Sequence, residues 1–99
     1  MSKVISTLSL AKRAGRLAIG FDAVKESVIK KLAYLVVVTG DISKGTYEKV
    51  IQFSSGIPVV ELSYTQEDIE KVFKKRFVVA AVTDSNFKEL LIKALKEDI

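Results

Sequence analysis

At 99 residues, 48% hydrophobic and 28% charged, the chain has the composition of one folded domain spanning residues 1–99, not of a disordered tail. It contains no cysteine and no histidine, which excludes disulfide frameworks and thiolate or imidazole metal sites and removes the usual bases of hydrolytic enzymes. The net charge of +4 is uneven: residues 1–31 hold Lys3, Lys12, Arg13, Arg16, Lys25, Lys30 and Lys31 against Asp22 and Glu26 alone. Such a surplus favours a polyanionic partner, the plain alternative being a solvated helix face.

Ser2 to Ala14 reads as a first helix, with Val4, Ile5, Leu8 and the pair Leu10 and Ala11 at helical spacing and Gly15 where a C-terminal cap would sit. Arg16 to Ile19 is a short extended segment closed by Gly20. Asp22, a candidate N-cap, then opens a second helix whose apolar positions are Ala23, Val24, Val28 and Ile29. Tyr34 to Thr39 is a β-branched run of the kind found in strands covered on both faces, and Gly40 and Asp41 turn it into a third helix over about 43–54.

Ser55 to Pro58 ends that helix and Val59 to Leu62 forms another strand. Thr65 and Asp68 have the spacing of a capping box, so a fourth helix runs from there to about Phe73. Phe77 to Val82 is a second buried strand, and after Thr83, Asp84 and Ser85 a last helix carries Phe87, Leu90, Leu91, Ala94 and Leu95 as its stripe. Strands and helices alternate throughout, which predicts an α/β fold: a three-layer α/β/α sandwich around a central, mostly buried four-stranded mixed sheet. The apolar runs are far shorter than the about 20 residues of a membrane-spanning helix, and no export signal is visible at the N-terminus. No membrane association is expected, and the cytoplasm is the expected compartment.

Chemistry is sparse. Asp22, Asp41 and Asp84 each fall where a helix begins, so capping is their first reading, and no acidic cluster has metal-ligand spacing. Gly40 to Thr46 has the outline of a nucleotide phosphate loop, but Thr46 stands where such a loop needs lysine. What is left is a helix N-terminus with Lys44 beside it, suited to one backbone phosphate. Neither an enzyme nor a cofactor is expected.

The more specific stretch is Leu10-Ala11-Lys12-Arg13-Ala14-Gly15-Arg16-Leu17, followed two residues later by Gly20. It resembles the start of the kink-turn RNA-binding ribosomal protein superfamily, in particular its small bacterial YlxQ-like branch. The likeness continues through 33–41, 56–59 and 79–84. The resemblance implies a non-catalytic RNA-binding protein, ribosome-associated or bound to another structured RNA, ribosomal RNA included, with no specificity for DNA.

In that superfamily a Gly-x-Asn-Glu-x-x-Lys motif clamps the RNA at a strand-to-helix junction. Here Gly20 is kept and Asp22 stands for the Asn, but Ala23 replaces the Glu and Glu26 the Lys, with Lys25 one residue earlier. The family's second segment falls on Ser63 to Thr65 and Ile69 to Lys74, where both of its glycines are lost and Lys74, Lys75 and Arg76 add charge. That charge favours generic phosphate contact over shape-specific docking.

By this reading Lys12, Arg13, Arg16, Lys25 and Lys44 would contact phosphates, with a solvated helix end as the alternative for the first three. Gly20 would allow close approach or only make a turn. Asp22 would be a helix cap or a base-edge acceptor, and Phe21 would stack on an unpaired base or staple the helix start. A protein–protein adaptor on the same fold, with its RNA determinants lost, is the alternative function.

Overall fold

The computed structural model describes residues 2–97. In chain order they form α1 (Lys3–Arg13), β1 (Leu17–Ile19), α2 (Phe21–Ile29), β2 (Leu35–Val38), α3 (Lys44–Ser54), β3 (Val59–Glu61), α4 (Gln66–Phe73), β4 (Val79–Val82) and α5 (Ser85–Glu97). The strands make one mixed sheet in the order β1-β4-β2-β3. β4 runs antiparallel to both β1 and β2, and β2 runs parallel to β3. The sandwich is the one expected from the alternation of elements.

β2 and β4 occupy the centre, and every residue of both is buried. Alternation along each strand divides the core in two. Leu35 and Val37 of β2, with Ala80 and Val82 of β4, face α1, α4 and α5, meeting Leu8, Ile69 and Leu91. Val36, Val38, Val79 and Ala81 face the other way, onto Val24 of α2 and Val50 of α3. Both faces of the central strands are covered by helices, which explains why these strands read as continuous apolar runs.

Local chemistry sets the helix boundaries. Ser2 caps α1 by accepting from the Ile5 N–H at 3.1 Å, and α1 ends in a Schellman motif. There left-handed Gly15 donates to the Lys12 carbonyl at 3.0 Å and the Arg16 N–H donates to the Ala11 carbonyl at 2.8 Å. The capping box of Thr65 and Asp68 is present in both directions. Several apolar positions depart from the expected stripes: Ala23 is exposed, as are Leu10, Ile29 and Leu90, the last three at 51%, 69% and 53%. Each sits just beyond the arc its helix turns to the sheet, and helical spacing alone locates the edges of that arc only loosely.

Candidate functional site

β1, β2 and β3 all point the same way, because β1 and β2 are both antiparallel to β4 and β3 is parallel to β2. Their C-terminal ends, and the N-terminal end of β4, therefore share one rim of the sheet. The helices that follow these three strands, α2, α3 and α4, all begin there. Each brings the positive end of its dipole, and α2, whose cap residue makes no side-chain bond, also presents backbone N–H groups that no cap occupies, an arrangement suited to anions.

Gly20 is the hinge of this rim. Its N–H donates to the Val79 carbonyl at 3.0 Å, which ties the end of β1 to the start of β4, and its carbonyl accepts from the Val24 N–H at 3.0 Å as the N-cap of α2. Its φ of 98° and ψ of 160° lie in a region essentially closed to residues with a Cβ. No heavy atom would lie within 4 Å of a Cβ placed there, so the backbone is open to an approaching ligand.

Beside it, Ser43 caps α3 by accepting from the Thr46 N–H at 3.2 Å, with exposed Lys44 next in the chain. Asp41 reaches from the β2–α3 loop to accept from the Gln66 N–H at 3.1 and 3.3 Å. Gly40 donates to the Tyr64 carbonyl at 2.8 Å. These bonds fasten the start of α4 to the rim.

Of the residues singled out from sequence, Gly20, Phe21, Asp22 and Lys44 meet on this rim and Lys25 lies one turn into α2. Lys12 and Arg13 belong to a different place, the last turn of α1, where they line a small hollow with Ser9, Val72, Phe73 and Lys74. Arg16 lies at the opposite rim. Its carbonyl accepts from the Thr83 N–H at 2.9 Å, and its guanidinium is 4.0 Å from the Asp84 carboxylate at the start of α5.

The structure corrects two expectations. Asp22 does not cap α2: Gly20 holds the cap position and Asp22 is the second helical residue, exposed, where its charge complements the helix dipole. Phe21 sits half-buried in the second core with its ring edge-to-face on Phe53 of α3, centroids 5.1 Å apart, which fits the stapling alternative. Asp84 does cap its own helix, accepting from Asn86 and Phe87 at 2.8 and 3.0 Å, whereas Asp41 serves α4 and not α3.

The positions that carry Glu and Lys in the family motif face a shallow groove beside the free edge of β1, lined by Leu17, Ala18, Ala23, Glu26, Lys30 and Leu32. Glu26 is paired with Lys30 at 2.6 Å, and that ammonium holds its carboxyl below the ordinary range. This groove therefore offers a neutralised ion pair and apolar surface where the motif would offer a hydrogen-bonding acid and a free cation. Among the described residues no group of His, Cys, Asp or Glu could hold a metal, and no helix is long and apolar enough to cross a membrane. The tie made by Asp41 leaves no local signal in the sequence, because its partner is 25 residues away.

Comparison with known proteins places this geometry. A Bacillus halodurans C protein of unknown function superposes with a TM-score of 0.85 at 28% identity, covering 97% of this chain and 99% of that one. The Giardia lamblia 15.5kD RNA binding protein superposes with a TM-score of 0.71 at 14% identity, over 95% of this chain and 86% of that one, a likeness of fold. No curated protein sequence matches the chain. The model of the ribosomal protein L7Ae/L30e/S12e/Gadd45 family matches residues 2–94, and with nearly the whole chain so matched, this protein belongs to that family.

Proposed function

We propose that this protein is a non-catalytic, cytoplasmic RNA-binding protein that sets the rim around Gly20 against the backbone of a structured RNA, in or near the ribosome. The observation that carries the reading is the meeting of the starts of α2 and α3 on one rim, beside the open backbone of Gly20, whose helix has no side-chain cap. Family membership supports it, and so does the fold shared with a Giardia RNA-binding protein.

In this reading Gly20 gives close approach, Lys25 and Lys44 meet phosphates, and the exposed carboxylate of Asp22 accepts from a base edge. Phe21 holds the junction in place through Phe53. With Ala23 and the paired Glu26 in the family's reading positions, binding is directed at the backbone and discriminates little between a kink-turn and a straight duplex.

Titration of a kink-turn RNA and a matched straight duplex tests this. The expected result is binding to both at low salt, weakened by Lys25→Ala/Lys44→Ala. Absence of binding to either at low salt would overturn it. A protein-contact role is the second reading, favoured by Ile29, Leu32 and Tyr34, all large, apolar and exposed at the opposite rim.

A further inference from the structure

Folding brings the ends of two distant helices together. The ammonium of Lys12 in α1 donates to the Phe73 carbonyl at the end of α4, at 3.4 Å, and lies 5.7 Å from the centre of the Phe73 ring. Phe73 is itself buried against Phe77, centroids 5.5 Å apart, so the clasp is anchored in the core. Arg13 and Lys74 line the same hollow, and Lys74 closes α4 in the left-handed conformation, with φ of 59°. Lys75 and Arg76 follow directly, all exposed.

Among the described residues, one of these five cations is in an ion pair, Arg76 with Glu70 at 3.3 Å. The patch therefore carries a formal charge of four, the whole net charge of the protein. Of 16 basic and 12 acidic residues, the 11 and 11 that remain cancel.

Complementing helix dipoles does not account for this concentration. Two helix C-termini present about −0.5 each, roughly one charge in all, which leaves a surplus of about three. Along the chain the patch leads back to the rim: Arg76 stands three residues before Val79, whose carbonyl receives the Gly20 N–H.

We propose that the clasped ends of α1 and α4, through Arg13, Lys74 and Lys75, form a second phosphate-binding surface that supplies most of the salt-dependent affinity for RNA. The inference rests on the RNA-binding reading and adds a site to it. The rim positions one stretch of backbone, and the clasp holds the phosphates beyond it. Lys12 is a positioning residue, because its ammonium is engaged with Phe73.

The test is the salt dependence of binding to a straight RNA duplex, measured for the wild type, Lys74→Ala/Lys75→Ala, the triple variant that adds Arg13→Ala, and the rim variant Lys25→Ala/Lys44→Ala. Removing one cation that neutralises a phosphate flattens a plot of log affinity against log salt by about 0.9 for B-DNA and less for more weakly charged strands. The double variant is expected to flatten the slope by between one and two, as the two-cation rim variant does, and the triple variant by between two and three, more than the rim variant does. Lys74→Arg/Lys75→Arg should retain the wild-type slope, and matching thermal midpoints would show that all variants are folded.

Wild-type slopes in the double and triple variants, with RNA binding intact, would overturn the clasp and leave the RNA-binding reading standing. Failure of the wild type to bind RNA at low salt would overturn both. Equal affinity for polyglutamate of matched charge would overturn the assignment to phosphate.

Discussion

Gly20 and Gly40 show how differently two turns after a strand can constrain one residue. At Gly20 there is room for a side chain but the backbone conformation forbids it. At Gly40 the space is missing, because an added Cβ would lie 2.9 Å from the Leu62 carbonyl oxygen. Gly20→Ala should therefore cost about 1–3 kcal/mol through strain, and Gly40→Ala a similar amount through displacement of the β3–α4 backbone. Urea unfolding of the two variants checks this; wild-type stability in Gly20→Ala would mean that the junction relaxes freely and is not held by its bond to Val79. The residue type at both positions is visible in the sequence. The reason for each is not, since one depends on a dihedral pair and the other on a carbonyl contributed by a different strand end.

The fourth helix is the element whose start is built most completely from side chains. Thr65 accepts from the Asp68 N–H at 3.2 Å, Asp68 accepts from the Thr65 N–H at 2.9 Å, and Asp41 takes the Gln66 N–H. The Thr65 N–H, helped by the Thr65 hydroxyl, holds the Asp68 carboxyl below its ordinary range. A carboxylate whose pKa is lowered by folding contributes stability that is complete above its unfolded value, about 3.9, and is lost as pH falls through its lower folded value.

The thermal midpoint of the wild type should accordingly fall over that acid window, and Asp68→Asn should show a shallower fall there. Identical acid limbs in the two proteins would show that the capping box contributes nothing in solution. The box itself is legible from the spacing of Thr65 and Asp68. The third tie, from Asp41, arises only because the parallel pairing of β2 and β3 sets two loops side by side.

At the scale of the whole molecule, the two cores share the two central strands of one four-stranded sheet. Each residue of β2 and β4 packs on one core, and the same backbone ladder carries both. Loss of packing on either face must loosen the strands that hold the other, so the domain should unfold as one unit.

Leu8→Ala, in the α1 layer, is expected to cost about 2–5 kcal/mol, and Val50→Ala, in the α3 layer, at least about 1.6 kcal/mol from the lost methyl groups. Both should shift a single urea transition seen alike by far-ultraviolet circular dichroism and tyrosine fluorescence. Two separated transitions in either variant would show that the layers fold independently.

Composition and hydrophobic pattern by themselves determined the number, type and order of the elements. These depend on local periodicity, on caps within three or four residues, and on strands apolar on both faces, all of which can be read along the chain. The stretch from Leu10 to Gly20 likewise pointed to the family, through its resemblance to the start of known members. The placement of charge belonged to the tertiary structure. Along the sequence the surplus lies in residues 1–31. Folding sends Arg16 to one rim, leaves Lys25 on the face of α2, and sets Lys12 and Arg13 against Lys74 at the end of a helix distant in the chain. Electrostatic attraction to a polyanion depends on distances between charges in space, and sheet order and helix crossing set those distances.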